Sequence, residues 1–425
     1  MFDLLIRGDA CDIAVEGGVI VEVGVGLAGG AAQEVDARGL LILPGVIDVH
    51  VHFNEPGRTE WEGAATGSAA FAVGGGTLYF DMPLNSTPCT VGVREFEAKR
   101  AALAASSVTD FALWGGIVPG NRAALADLAG AGAIGFKAFM SGSGLPEFPR
   151  SDDLTLYEAM VEAAKVNLPV AVHAESEEIT RELSARAQAE GRTGIRDYLH
   201  SRPIVAEVEA IHRAALLARE AKAKLHIVHI SSGRGVAAAL EARQLGTDLT
   251  IETCTHYLFF TGEDVERIGA AAKCAPPLRD AAERDELWRR LLKGDIDIVG
   301  SDHSPAPFLM KQDGNFFDVW GGIAGVQSTL AVMLPAGEAQ VARVLAENPA
   351  KRFRIANKGR IAVGYDADLV LVDANAEYEL KAEDLKQRHA ISPYIGYRFR
   401  GVIRQTYVRG VPAPRQSKGR FVRPA

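Results

Sequence analysis

The stretch Val46-Ile47-Asp48-Val49-His50-Val51-His52 places two histidines two positions apart in an apolar run, bounded by Pro44-Gly45 and Pro56-Gly57. In a strand, residues i and i+2 share a face, so the two imidazoles project together, as a metal-ligand pair would. Four further ionisable residues lie within or at the ends of apolar runs downstream. Lys137 lies in Ile134-Gly135-Phe136-Lys137-Ala138-Phe139 and His173 in Val170-Ala171-Val172-His173. His229 lies in His226-Ile227-Val228-His229 and Asp302 in Ile298-Val299-Gly300-Ser301-Asp302. Histidines with carboxylates bind zinc and similar ions. Two such ions make hydroxide near neutral pH and polarise a carbonyl. Asp302 would orient the hydroxide, take its proton and pass it to a leaving nitrogen. Lys137 is the odd member, because an ammonium only donates; it could ligate a metal only if deprotonated or modified.

Each residue also has a purely structural reading. Lys137 could snorkel to the surface, although it sits inside an apolar run and lysine is rarely buried unpaired. His226 competes with His229, and His229 is preferred because it ends the run and precedes a polar turn. His256, in Glu252-Thr253-Cys254-Thr255-His256-Tyr257, follows a strand and could support the site or the core. His303 would point away from Asp302 if the strand continued. His200, His212 and His389 fall in helical or loop contexts.

The elements that must position these residues follow one pattern from about residue 44. Strand-like runs at 45–52, 76–82, 111–117, 133–139, 169–173, 225–229, 249–252 and 296–301 alternate with helical segments at 60–73, 93–105, 154–165, 175–190, 205–222 and 235–244. Repeated β-then-α units imply a parallel sheet with helical crossovers. Eight such strands fit a (β/α)8 barrel, whose active site lies at the C-terminal strand ends. The candidates occupy those ends. No glycine-rich dinucleotide fingerprint follows the first strand.

Residues 1–43 read as short strands with a hairpin at Gly17-Gly18, giving a small antiparallel sheet. Short strands return after residue 350, with Gly359–Asp373 as an alternating run, a turn and a buried run, and Val402–Val408 as another strand. The two ends, 1–43 and 350–425, are expected to form one small discontinuous β-sandwich beside a barrel spanning 44–349. Pro412 to Ala425 reads as a loosely ordered tail.

The 425-residue chain is 48% hydrophobic and 24% charged, as for a soluble globular protein. Its net charge of −8 argues against nucleic acid or an anionic membrane as partner. No apolar run reaches the roughly 18 residues of a membrane span. The start lacks the basic and apolar regions of a signal peptide. Its four cysteines are far apart, without a Cys-x-x-Cys motif. A cytoplasmic protein is expected.

The ordered set of strand-end residues resembles the amidohydrolase superfamily, in particular the cyclic amidohydrolases: dihydroorotases, hydantoinases (dihydropyrimidinases) and allantoinases. The likeness covers essentially the whole chain, including Gly364-Tyr365-Asp366-Ala367-Asp368-Leu369-Val370 near its end. It implies that Lys137 is carboxylated, as N6-carboxylysine formed from CO2 or bicarbonate, and bridges two divalent metals. One metal would take His50, His52 and Asp302, the other His173 and His229. Zinc is the usual metal, with manganese, cobalt or iron as alternatives.

Within the family the motifs most resemble the allantoinases. They include His52-Phe53-Asn54-Glu55-Pro56-Gly57-Arg58, Asp81-Met82-Pro83-Leu84-Asn85, Gly135-Phe136-Lys137-Ala138-Phe139-Met140, Glu252-Thr253-Cys254-Thr255-His256-Tyr257, and Ser301-Asp302-His303-Ser304-Pro305 followed by Trp320-Gly321-Gly322-Ile323-Ala324-Gly325. A dihydroorotase would carry a carboxylate-binding arginine at Asn54, and a hydantoinase an oxyanion-donating tyrosine at Gly142. Losing that arginine suits a neutral, ureido-bearing ring. Ala275 replaces a polar residue found in several relatives before Pro276-Pro277. Asn85, Ser304 and Gly322 are candidates for substrate contact. The resemblance implies hydrolysis of the hydantoin ring amide of allantoin to allantoate by a hydroxide bridging the metals, in purine and ureide catabolism, by a homotetramer. The competing readings are another cyclic amidohydrolase and a non-catalytic homologue; the latter would typically have lost metal ligands, and here all six are kept.

Overall fold

The computed structural model describes residues 1–312 and 314–425. The first apolar runs form β1 (Phe2–Arg7), β2 (Asp12–Glu16), β3 (Val19–Gly24), β4 (Ala31–Asp36) and β5 (Leu41–Pro44). Gly17 and Gly18 take φ of 59° and 83°, which a two-residue primed turn requires, and β2 and β3 pair antiparallel. The first sheet has the order β3-β2-β1-β4. It is not wholly antiparallel as expected, because β4 pairs parallel with β1. β3 runs in the same sense as β1, and the connection after it crosses to the free edge of β1.

The barrel strands follow as β6 (Val46–Val51), β7 (Gly76–Asp81), β8 (Asp110–Leu113), β9 (Gly115–Gly116), β10 (Phe136–Phe139), β11 (Val170–His173), β12 (Leu225–Ile227), β13 (Leu249–Cys254) and β14 (Ile298–Gly300). Each pairs parallel with its neighbours. β8 and β9 are one barrel strand broken at Trp114, whose indole N–H donates to the Val49 carbonyl at 3.0 Å. The Ile134 amide donates to the Leu113 carbonyl at 2.9 Å across one seam. A parallel bridge between Val51 and His303 closes the other. The eight strands coincide with the eight runs read from sequence. They are buried on both faces, which is why they read as unbroken apolar runs.

Ile47, Leu78, Phe80, Ala112, Trp114, Ala171, Val228 and Ile298 come from strands around the ring and pack in one cluster, which places them inside the barrel. Tyr79, Phe111, Phe136, Val170, Ile227 and Val299 face outward, where alanine-rich helices such as Ala64–Val73, Asp153–Lys165 and Ile204–Ala221 cover them.

The chain then forms β15 (Leu369–Glu379), β16 (Arg398–Val408) and β17 (Val411–Ala413), in a second sheet of order β17-β16-β15-β5. β5 pairs antiparallel with β15, Leu43 opposite Val370. Leu4, Ile6, Ile13 and Val15 of the first sheet pack on Leu369, Leu371 and Tyr407 of the second, making a sandwich. Arg360–Val363 forms no strand.

The segment after Pro412 is not a loose tail. The Phe111 amide donates to the Arg420 carbonyl at 3.0 Å and the Val422 amide to the Phe111 carbonyl at 2.8 Å. Phe421 packs on Phe96 and Phe111. Apolar Phe421 and Val422, inside a basic stretch, supply the anchor. Nearby, Asp110, Asp366 and Asp368 converge on the buried Lys358 ammonium at 2.8, 2.8 and 2.7 Å. That acidic trio is thus an ion-pair lock filled by a lysine. Among the described residues, no helix is long and apolar enough to cross a membrane.

Candidate active site

A cavity of about 290 Å³ opens at the C-terminal end of the barrel, lined by His50, His52, His173, His229 and Asp302 among others. That is the small end of the range for small-molecule sites. β6 and its continuation deliver His50 and His52, β11 ends on His173, and His229 and Asp302 lie two residues beyond β12 and β14. His229 and Asp302 take left-handed backbone, with φ of 41° and 44°. Asn54 and Asn85, on neighbouring loops, do so too, at 62° and 70°. Left-handed φ is costly for a non-glycine residue such as histidine, and its clustering here marks the cavity end as a functional site.

The Nε2 atoms of His50 and His52 stand 3.2 and 3.3 Å from one oxygen of Asp302. One ligand atom from each of the three falls within 4.8 Å of the others, a grouping able to hold a metal ion. Opposite them, His173 Nδ1 is 3.0 Å from His229 Nε2. Two buried carboxylates set the orientation of the rings. Glu252 accepts from His50 Nδ1 at 2.9 Å, leaving Nε2 bare towards Asp302. Glu175 accepts from His173 Nε2 at 2.8 Å, leaving Nδ1 bare towards His229. The His173 ring also stacks on Phe139 at 4.6 Å. A carboxylate behind each imidazole fixes the tautomer that a metal needs.

Electrostatics point the same way. Burial lowers the pKa of His52, His173 and His229, with the His173 and Lys137 charges adding to the effect at His229. These imidazoles are therefore neutral, as ligands must be. Burial alone would raise Asp302, but the adjacent His50 and His52 outweigh it and hold the carboxyl well below its usual range. The same opposition leaves Glu252 at about 2, with His50 and His226 as the stabilising partners.

Lys137 does not line the cavity. It is wholly buried on β10, and its Nζ has no hydrogen-bond partner among the described residues. It lies 4.8 Å over the Phe139 ring. Burial pulls its pKa down to about 8. An amine this easily deprotonated and unpartnered is suited to take up CO2 and become an anionic ligand. The donor set thus fits two cations: bare nitrogens, a low-pKa carboxylate, and an orphaned lysine.

Asn85 and Ser304 line the cavity, the Asn85 amide donating to Ser304 Oγ at 3.3 Å. Ala275 lines it as well. Gly322 does not. Its Cα faces Ser304, and an added Cβ would fall 2.3 Å from the Ser304 carbonyl oxygen. Gly321 takes the lining position. Asn54 is fully buried and donates to the Pro305 carbonyl at 3.4 Å. It does not face the cavity, so absence of an arginine there does not make the cavity neutral. Arg202 and Lys273 line it instead.

Sequence reasoning assigned no role to Glu175, Glu252, Arg202 or Lys273. Glu175 was detectable as the i+2 neighbour of His173, and Glu252 as a charge in an apolar strand. Arg202 and Lys273 carried no local signal. Lys273 donates to the Phe316, Phe317 and Val319 carbonyls. Lys311 donates to those of Ala270, Trp320 and Gly322. Together they fasten the loop that walls the cavity. His226 lies deeper, bonded to Thr250 and Glu252. His303 Nδ1 accepts the Gly325 and Val326 amides. His256 is buried with both ring nitrogens unpartnered among the described residues.

The amidohydrolase family model matches residues 41–413. The chain is 65% identical over 408 residues to a protein named allantoinase from Solibacter usitatus, covering 94% of this chain and 89% of that one. It is 54% identical to a Rubrobacter xylanophilus allantoinase, covering 100% and 98%. The solved L-hydantoinase (dihydropyrimidinase) from Arthrobacter aurescens superposes with a TM-score of 0.96 over the whole of both chains, at 32% identity. Sequence, fold and the placement of the histidines at the barrel mouth agree that this chain belongs to the amidohydrolase family.

Proposed function

We propose that the chain hydrolyses the hydantoin ring amide of allantoin to give allantoate. The observation that carries this is the convergence of His50, His52 and Asp302 on one side of a cavity and His173 and His229 on the other, in a chain this similar to proteins named allantoinase. His50, His52 and Asp302 would hold one cation and His173 and His229 a second, with Lys137, carboxylated on Nζ, bridging them. The family and the ligand grouping support a binuclear site. Zinc is the proposed metal. When bound, such cations supply hydroxide near neutral pH and polarise the ring carbonyl.

The chain's own groups do the rest. Asp302, ionised at any working pH, accepts the proton of the attacking water and delivers it to the ring nitrogen as the amide bond breaks. Glu252 and Glu175 keep the His50 and His173 rings from rotating. Asn85 and Ser304 offer neutral hydrogen bonds to the ring. The fastened Phe316–Gly322 loop walls the cavity and limits water. The products are one carboxylate, one new ureido N–H and one proton released to solvent, so atoms and charge balance with a single water.

The remaining parts of the proposal are a cytoplasmic homotetramer, with a barrel over 44–349 and a sandwich from 1–43 and 350–425. The likeness to hydantoinase structures supports a second reading, in which a simpler hydantoin or dihydropyrimidine is the substrate. A panel of allantoin, hydantoin, dihydrouracil and dihydroorotate separates the two, with metal content measured on the same sample. Allantoin should have the highest kcat/KM, with two metals per subunit. Preference for another ring rejects the allantoin assignment.

A further inference from the structure

Arg202 follows the short helix Ile195–Ser201 and reaches the cavity wall. Its Nε lies 3.2 Å from both Glu175 oxygens and its Nη2 lies 2.6 Å from Oε2. That side-on pairing fixes the guanidinium plane. The same Oε2 accepts from His173 Nε2, so only one carboxylate separates the guanidinium from the metal-ligand cluster. Nη1 has no protein partner among the described residues, and the side chain keeps 15% of its surface accessible. The other cation lining the cavity, Lys273, is different. Its ammonium is engaged by three backbone carbonyls and has no donor left to offer. Asp318 lines the same cavity and adds a carboxylate acceptor.

We propose that Arg202 is a specificity-determining residue, whose Nη1 donates to the carbonyl oxygen of the substituent carried by the ring, with Asp318 accepting from that substituent's N–H groups. The inference rests on the allantoin reading. A ureido arm presents one carbonyl acceptor and several N–H donors, the complement of a guanidinium and a carboxylate lining one cavity. An unsubstituted hydantoin ring presents no such arm. The substituent is carried on the carbon next to the reacting carbonyl, so with that carbonyl at the histidines the arm stays close to them, and Arg202 is joined to His173 through Glu175. A charge-assisted hydrogen bond of this kind makes about a ten- to hundredfold difference in kcat/KM.

The test compares allantoin with hydantoin on metal-loaded enzyme, hydantoin being followed by turnover or, if slow, as a competitive inhibitor. Added to Glu175→Gln, where no carboxylate is left unpaired, Arg202→Met should lower kcat/KM for allantoin at least tenfold and change the hydantoin constant less than threefold. Arg202→Lys should behave similarly, because one ammonium cannot serve both Glu175 and the substituent. Arg202→Met leaves Glu175 buried without its cation, so the double variant Arg202→Met/Glu175→Gln is measured against Glu175→Gln alone. Equal losses on both substrates, accompanied by lost metal, would assign Arg202 a role on His173 only and overturn the proposal. An unchanged allantoin constant overturns it as well. Failure of the wild-type enzyme on allantoin is a separate result, seen before any variant is made, and removes the underlying assignment.

Discussion

Replacing Glu252 should weaken metal binding although Glu252 is not itself a ligand. Its two oxygens hold His50 Nδ1 at 2.9 Å and His226 Nε2 at 2.8 Å, with no exposure to solvent. In Glu252→Ala, the His50 Nδ1–H loses its acceptor and the imidazole is free to place its proton on Nε2, the atom that faces Asp302. Loss of such an outer partner costs about ten- to hundredfold in metal affinity, or roughly 1.4–2.7 kcal/mol. Glu252→Gln separates hydrogen bonding from charge. The amide oxygen can accept from His50 while the amide NH2 donates to His226 Nε2. His226 then carries its proton on Nδ1 and gives it to Thr250 Oγ1, 2.8 Å away. Every hydrogen bond survives and only the negative charge is lost, so the glutamine variant should lose clearly less than the alanine variant. Calorimetric titration of zinc or manganese into metal-free protein measures both. Alanine-variant affinity within twofold of wild type, or glutamine as damaging as alanine, would refute the reasoning.

Lys137→Ala should leave at most one metal per subunit by elemental analysis, and retention of two would sink the bridging role. Lys358→Met strips the shared cation from Asp110, Asp366 and Asp368. Breaking a buried ion pair from one side destabilises by about 3–5 kcal/mol; a change below about 1 kcal/mol in urea denaturation would show that the carboxylates relax freely. Gly322→Ala drives a methyl against the Ser304 carbonyl. Overpacking of about 1–3 kcal/mol should appear as lower thermal stability together with a raised KM, since Ser304 lines the cavity; unchanged KM would mean that Ser304 does not touch substrate.

The barrel and the convergence of His50, His52, His173, His229 and Asp302 on one cavity were readable because their physics is local. A buried parallel strand is an apolar run, and a histidine or aspartate ending it faces the cavity. The His50-x-His52 spacing and the incongruous lysine at 137 needed no tertiary knowledge. What failed to show depended on distant partners or on single backbone angles. Glu252 meets His50 across the barrel interior, with most of the barrel between them in sequence. Arg202 sits between the helices Ile195–Ser201 and Ile204–Ala221, away from any strand end. Asn54 occupies a telling position in the motif, yet a φ of 62° turns its side chain towards Pro305 and away from the cavity. Phe421, one aromatic ring in a basic stretch, ties down a segment whose composition suggested disorder.

The junction between β5 and β6 bears on how the molecule reaches its native state. Only Gly45 separates the two strands, and its amide donates to the Asp368 carbonyl at 2.8 Å. The strand that leads into His50 and His52 is therefore hydrogen-bonded to a segment from the other side of the barrel in sequence. That pairing forms only after a very long loop has closed, a contact order associated with slow folding. Until it does, β5 and β15 remain open edges on an otherwise collapsing chain, the kind of species that aggregates or engages chaperones. His50 and His52 are thus fastened late, and refolding yield should depend on protein concentration more steeply than it depends on added metal.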